Sequence, residues 1–216
     1  MSVLLKFCGN RSLSDVKICA ASMADYLGII FAKGKRQVHA HKVKNWFNKV
    51  DLGNKKLVGV FVNAPVHEIA EVIKEIPLSI IQCHGTETPA QVGAIKERTK
   101  LPVWKAVHHT NSSLGTMKQY AGLADGYIVD TKIKGAWGGT GISFDWEYVP
   151  YYMEEAEKQG VTCLIAGGVR PDNIEKLLRY HPHGIDISSG IEECEGKSTR
   201  KIEMIERKVK MYETCS

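Results

Sequence analysis

The chain has 216 residues, 44% of them hydrophobic and 25% charged, enough to bury a full core without disulfides or metal, as one large α/β domain or two small ones. The net charge of +5 is spread along the chain, which argues against a nucleic-acid-binding tail yet suffices to attract a small anion. No apolar run approaches the roughly 18–20 residues that cross a bilayer, the opening run is broken by Lys6 before it reaches signal-peptide length, and the six cysteines form no Cys-x-x-Cys pair. The expectation is a reduced, cytoplasmic protein with neither membrane nor nucleic acid as partner.

The elements alternate from the start. Val3–Cys8 reads as a strand, followed by a helical pattern over Ser12–Met23, with Val16, Cys19, Ala20 and Met23 on one face and Ser12 or Ser14 as cap. Tyr26–Phe31 is a near-continuous apolar strand, and His41–Lys49 an amphipathic helix that buries Val43, Trp46 and Phe47. The same pairing recurs: strand Leu57–Val62 with helix Val66–Lys74, strand Leu78–Cys83 with helix Pro89–Lys100, and strand Val103–Val107 with a short helix Ser113–Tyr120. Pro89 falls in a first turn, where its missing N–H costs nothing. Strand Tyr127–Val129 then stops at Asp130, and the loop Lys132–Gly141 contains Gly135-Ala-Trp-Gly-Gly-Thr-Gly141. Helix Trp146–Gln159, strand Thr162–Ala166, helix Pro171–Arg179, strand Gly184–Ser188 and a charged helix Lys197–Tyr212 complete the chain.

Eight apolar, β-branched runs alternating with helices predict parallel strands covered on both faces. Their number in about 200 residues predicts a single (β/α)8 barrel, an eight-stranded parallel TIM barrel spanning residues 1–216 without a linker. An open doubly wound sheet would show a Gly-x-Gly-x-x-Gly turn after its first strand, and Cys8-Gly-Asn-Arg-Ser12 is not one.

Barrel strands converge their C-terminal ends on one face. Residues there are Cys8, Arg36, Asn63, His84, His108, Asp130, Gly167-Gly168 and Ser188-Ser189-Gly190, polar or glycine where the strands were apolar. Asp130 alone would read as a turn cap; in this company it becomes a site candidate. The Gly167-Gly168 and Ser188-Ser189-Gly190 loops follow the seventh and eighth strands, where barrels of this kind hold phosphate with backbone N–H groups and hydroxyls. The glycine-rich Gly135–Gly141 segment has no Gly-Lys-Ser/Thr opening a helix and is not a Walker loop.

Several motifs, in order along essentially the whole chain, resemble the phosphoribosylanthranilate isomerase family of tryptophan biosynthesis. They are Phe7-Cys8-Gly9, Lys35-Arg36, the strand ending at Asn63, Gln82-x-His84-Gly85, Asp130 with Gly138-Gly-Thr-Gly141 and Phe144-x-Trp146, Ile165-Ala-Gly-Gly168, and Asp186-x-Ser-Ser-Gly190. The resemblance implies an Amadori rearrangement of N-(5′-phosphoribosyl)anthranilate to 1-(2-carboxyphenylamino)-1-deoxyribulose 5-phosphate, with no metal or organic cofactor. It implies Asp130 as the acid that opens the ribose ring and Cys8 as the base that removes the C2′ proton. Arg36 is the natural partner of the anthranilate carboxylate, and His84 and Asn63 are pocket candidates, each with a structural alternative. Asn10, Gly34, His39 and Cys83 depart from the family pattern without removing a proposed catalytic group.

These roles make physical demands. A free aspartic acid, with a pKa of about 3.9, is protonated about once in a thousand at pH 7, so a donor there calls for burial or an anionic neighbour. A thiol near 8.5 needs only modest lowering to act as a base. The pairs His39-x-His41, His108-His109 and His181-x-His183 have polar flanks and no accompanying carboxylates, so no metal is expected. Trp137 either covers the substrate or is simply exposed. An indole-glycerol-phosphate synthase would want lysine and glutamate catalysts, a ribulose-phosphate epimerase a His/Asp metal set, and a non-catalytic binding barrel would have lost the acid or the base. The charged last helix suits a monomer, with a homodimer left open.

Overall fold

The computed structural model describes residues 2–131, 143–194 and 196–215. The Gly135–Gly141 segment and Trp137 lie outside the described residues. Strands β1 (Leu4–Phe7), β2 (Tyr26–Ile30), β3 (Lys56–Phe61), β4 (Ile80–Cys83), β5 (Val103–His108), β6 (Gly126–Asp130), β7 (Thr162–Ile165) and β8 (Gly184–Ile187) close into one parallel barrel in sequence order, β8 pairing back onto β1. The eight-stranded parallel barrel is the architecture the alternation predicts. Helices α1 (Leu13–Ala20), α2 (Ala40–Phe47), α3 (Val66–Glu75), α4 (Pro89–Thr99), α5 (Ser113–Gln119), α6 (Val149–Lys158) and α7 (Ile174–Leu178) follow the first seven strands. After β8 come two short strands, β9 (Glu192–Glu193) and β10 (Gly196–Lys197), and the long helix α8 (Thr199–Cys215).

Local chemistry fixes the ends of these elements. Ser12 caps α1 by accepting the Asp15 N–H, and Thr88 with Gln91 forms a full capping box at α4, with Pro89 in its first turn. Where the sequence suggested a helix from Pro171, the structure has a turn and a helix only from Ile174: Asn173 spends its side chain on the Arg170 N–H and the Gly168 carbonyl, tying down the loop after β7 instead. The Trp146–Gln159 helix likewise begins as a 3-10 turn, Trp146–Tyr148, ahead of Pro150.

Because side chains alternate across a strand, closure sorts each strand into a lumen set and an outer set. Outward residues such as Phe7, Leu27, Ile81, Val107, Tyr127 and Ile185 form the main core against the helices. Trp46 and Phe47 pack partly buried on its margin. Inward residues fill the lower lumen: Tyr26, Val58, Ile80, Trp104, Ile128 and Leu164 make a second, separate core, with Tyr26 and Trp104 edge to face at 4.9 Å. The next inward residues toward the C-terminal ends are Lys6, Cys8, Gln82, His84, Asp130 and Asp186, so the lumen turns polar at that end.

One charged pair breaks the apolar outer layer. Lys105 and Glu87 are each 3% exposed and pair at 3.0 Å. The Lys105 ammonium also donates to the carbonyls of Cys83 and Gly85, and Glu87 accepts the N–H groups of Asn63 and Gly85. The cluster therefore clamps the loops after β3 and β4. Removing one partner of a buried pair leaves the other charge uncompensated. Lys105→Met should cost about 3–5 kcal/mol of stability, read as a lowered urea midpoint at unchanged m-value; a midpoint within error of the parent would show that the clamp is not a structural keystone.

Candidate active site

A cavity of about 330 Å³ opens at the C-terminal end of the barrel. Its wall includes Cys8, Arg36, His84, Asp130, Gly167, Gly168, Ser188, Ser189 and Gly190, together with Lys33, Lys35, Gln82 and Asp186. Of the strand-end residues read from the sequence, all but His108 and Asn63 thus meet in one place. Asn63 lies outside the wall of this cavity: its Oδ1 accepts from the Thr86 N–H and hydroxyl, and it adopts φ +51° at the turn. The structure gives Asn63 the work of tying the loop after β3 to the loop after β4, where a Cβ on Gly85 would collide with its side-chain oxygen.

Cys8 follows β1 and is 5% exposed. Gly28 faces it from β2, and a Cβ there would stand 2.6 Å from the Cys8 Sγ; the absent side chain makes room for the thiol. Asn10, one of the departures from the family pattern, is fully buried and donates to the carbonyls of Phe7 and Gly28, pinning the turn that carries Cys8 onto β2. Burial pushes the Cys8 thiol up, against the pull of Lys6. That runs against the modest lowering a base calls for, because a buried thiol loses the water that would solvate its anion.

Asp130 ends β6, 4% exposed. Its Oδ1 accepts the Thr131 N–H at 2.7 Å, and its Oδ2 stands 3.5 Å from His84 Nε2. His84 Nδ1 is 2.8 Å from the Gln82 side-chain nitrogen, which, with the amide so assigned, places the ring proton on Nε2, toward the carboxyl group. Gly167 closes over this end at φ +87°, where a Cβ would stand 2.9 Å from Asp130 Oδ1.

Gly167 and Gly168 both take positive φ, and a Cβ on Gly190 would run into the Val169 carbonyl. The loops after β7 and β8 thus pack backbone on backbone, and the buried Ser188 hydroxyl finds no protein partner among the described residues. Arg36 is held from behind: its Nε and Nη2 each donate to Glu192 at 2.7 Å, and this hydrogen-bonded carboxylate holds the guanidinium above its usual pKa. Lys197 in turn donates to Glu192 and to the carbonyls of Cys8 and Ser188. Among the described residues no cluster of His, Cys, Asp and Glu is arranged to hold a metal ion.

Sequence reasoning missed Lys6, Glu192 and Lys197. Lys6 carried a signal, since it shares the lumen face of β1 with Cys8 at i, i+2. Glu192 and Lys197 sit opposite each other on β9 and β10, two-residue strands too short for any periodicity to announce them.

Residues 5–208 match the family model for N-(5′-phosphoribosyl)anthranilate isomerase. The chain belongs to that family. Its reaction is the isomerisation of N-(5′-phosphoribosyl)anthranilate in tryptophan biosynthesis, as the sequence motifs implied. It is 60% identical to the N-(5′-phosphoribosyl)anthranilate isomerase of Geobacillus thermodenitrificans, over 97% of this chain and 95% of that one. Among solved structures, it is similar to the Thermotoga maritima isomerase (TM-score 0.83, 28% identity, 97% of this chain and 99% of that one). It is also similar to an isomerase solved with reduced 1-(o-carboxyphenylamino)-1-deoxyribulose 5-phosphate (TM-score 0.81, 26% identity, with the same coverage).

The fit of Gly28 against Cys8 yields a test. Gly28→Ala should push the thiol out of place and lower kcat about a hundredfold, with a stability loss of about 1–3 kcal/mol from overpacking. Kinetics and urea unfolding measured on the same preparation check both; unchanged kcat would mean the position of Cys8 is not critical.

Proposed function

We propose that Asp130 is the general acid and Cys8 the general base of the isomerisation. The observation that carries this reading is that the two groups, from β6 and β1, line one cavity whose far wall is the glycine and serine loops after β7 and β8. With the substrate phosphate on the Gly167-Gly168 and Ser188–Gly190 loops, the ribose lies across the barrel mouth between the acid and the base. Asp130 gives its proton to the ring oxygen as the C1′–O bond breaks, and the anilino nitrogen lone pair forms the C=N bond of the protonated Schiff base. A Cys8 thiolate then takes the C2′ proton. The C2′–H electron pair becomes the C1′–C2′ double bond, and the C=N π electrons return to nitrogen. Tautomerisation of the resulting enolamine gives the ketone.

Glu192 occupies two N–H groups of Arg36, leaving three of the five that a guanidinium carries. Those three suit the anthranilate carboxylate, and Lys33 and Lys35 at the exposed rim favour approach of a substrate that carries both a phosphate and a carboxylate. His84 orients the Asp130 carboxyl group. The relative solved with a reduced product analogue supports a ligand of this size and charge in a barrel of this kind. No helix among the described residues is long and apolar enough to cross a membrane. The reading extends to a cytoplasmic monomer. Cys8, Cys19, Cys83, Cys163 and Cys194 are free thiols, in keeping with a reducing compartment, and the large exposed apolar side chains are scattered over Met23, Tyr148, Tyr151, Met204 and Met211.

Asp130→Asn and Cys8→Ala should each lower kcat about 10²–10⁴-fold with little change in KM, followed by the loss of phosphoribosylanthranilate fluorescence in metal-free buffer. Near-normal kcat in either variant removes that residue from the mechanism. Arg36→Met should instead act mainly on KM, raising it about ten- to a hundredfold, the worth of a charged hydrogen bond.

A further inference from the structure

A base buried in the cavity wall poses a problem that Cys8 alone does not solve. Removing a thiol from water disfavours its anion, and burial does push this thiol up. Something nearby must compensate for the negative charge that catalysis requires.

Lys6 is positioned to do so. It is fully buried, on the same lumen face of β1 as Cys8 and two residues before it. Its ammonium donates to Asp186 Oδ1 on β8 at 3.0 Å, and the β1–β8 register puts Lys6 directly opposite Asp186. The ammonium and the thiol thus project from adjacent inward positions of one strand, and the Lys6 charge pulls against the burial that pushes the thiol up. Lysine is rarely sealed in a barrel lumen without a task, because its charge costs several kcal/mol to desolvate. The outer layer has its own buried lysine, Lys105, whose hydrogen bonds all go to the carbonyls and carboxylate it clamps. Lys6 differs: its neighbours are Asp186, which lines the cavity, and the cavity thiol.

We propose that Lys6 is the counter-ion of the Cys8 thiolate, held beside it by Asp186 and shared between the carboxylate and the sulfur. The proposal rests on Cys8 being the base. The proton lost when the thiol ionises leaves through the open cavity to solvent before substrate binds. Lys6 keeps its own proton throughout, since Asp186 and Cys8 together hold it in the ammonium form. When the thiolate takes the C2′ proton it becomes neutral, and the Lys6 ammonium returns fully to Asp186. Lys6 is thus a positioning residue acting through Cys8. The other charged or titratable groups that face the thiol are Asp186 on β8, Lys197 on β10, Arg36 on the loop after β2 and the Cys19 thiol on α1. Lys197 and Arg36 share Glu192, whereas the hydrogen-bonded carboxylate of Lys6 among the described residues is Asp186.

The test is the pH dependence of Cys8 alkylation by iodoacetamide in the intact protein, followed on the Cys8 peptide by mass spectrometry, with exposed Cys194 as internal control. Lys6→Met should raise the Cys8 midpoint by about one pH unit or more, and the rising limb of kcat/KM should move by the same amount. Lys6→Arg should restore most of the difference. Asp186→Asn should move the midpoint the other way, because it removes an anion and frees the ammonium for sulfur. A merely structural ion pair predicts no opposed shifts. An unchanged midpoint in Lys6→Met, or shifts of the same sign in Lys6→Met and Asp186→Asn, overturns the proposal. Should Lys6→Met fail to fold, Asp186→Asn decides alone, a lowered midpoint supporting the proposal and an unchanged or raised one refuting it. Full turnover in Cys8→Ala would refute the base assignment, while the alkylation midpoints would still report whether Lys6 sets the charge of the thiol.

Discussion

Closure of the sheet is the constraint on which everything else depends. Once eight parallel strands join edge to edge, every second side chain must enter a lumen of fixed width. Tyr26, Trp104, Ile128 and their neighbours fill the lower part of it. The same alternation then delivers Cys8, Gln82, His84, Asp130 and Asp186 to the upper part, where the strands end and the cavity begins. The helices contribute apolar faces to the outer core, but the chemistry comes from the inward set.

The low-dielectric surroundings make charge the second constraint. Buried or half-buried pairs organise the molecule near the cavity, among them Lys6 with Asp186, Lys105 with Glu87, and Arg36 and Lys197 with Glu192. Lys105 and Lys197 also hold loop carbonyls that border the site. Buried pairs contribute little net stability, but losing one partner is costly, so they fix geometry by penalising every arrangement that separates them. Arg36 illustrates the gain. Its fork is held on one edge by Glu192, so the remaining N–H groups are presented to a ligand without first having to be ordered.

Much of this was legible in the sequence. The apolar strands stood out because parallel strands are buried on both faces, and the polar residues at their ends stood out by contrast. Cys8, Arg36, His84, Asp130 and the two phosphate-type loops were readable for that reason. Asn63 was not, because a strand-end asparagine looks the same whether it faces the cavity or ties two loops together. The direction in which the Cys8 thiol shifts was not legible at all: it is burial, a property of the closed barrel, that moves it upward. Glu192 and Lys197 escaped because strands of two residues leave no periodic trace. Lys6 had the right periodicity and was passed over as a mere interruption of an apolar run.

The central claim is a division of labour, Asp130 for ring opening and Cys8 for removal of the C2′ proton. Substrate carrying deuterium at C2′ tests it most directly. In Cys8→Ser, where a weaker base makes proton removal limiting, turnover should slow severalfold on deuteration. In Asp130→Asn, where ring opening limits, the isotope should make almost no difference. A large isotope effect in Asp130→Asn with none in Cys8→Ser would contradict the assignment of both residues.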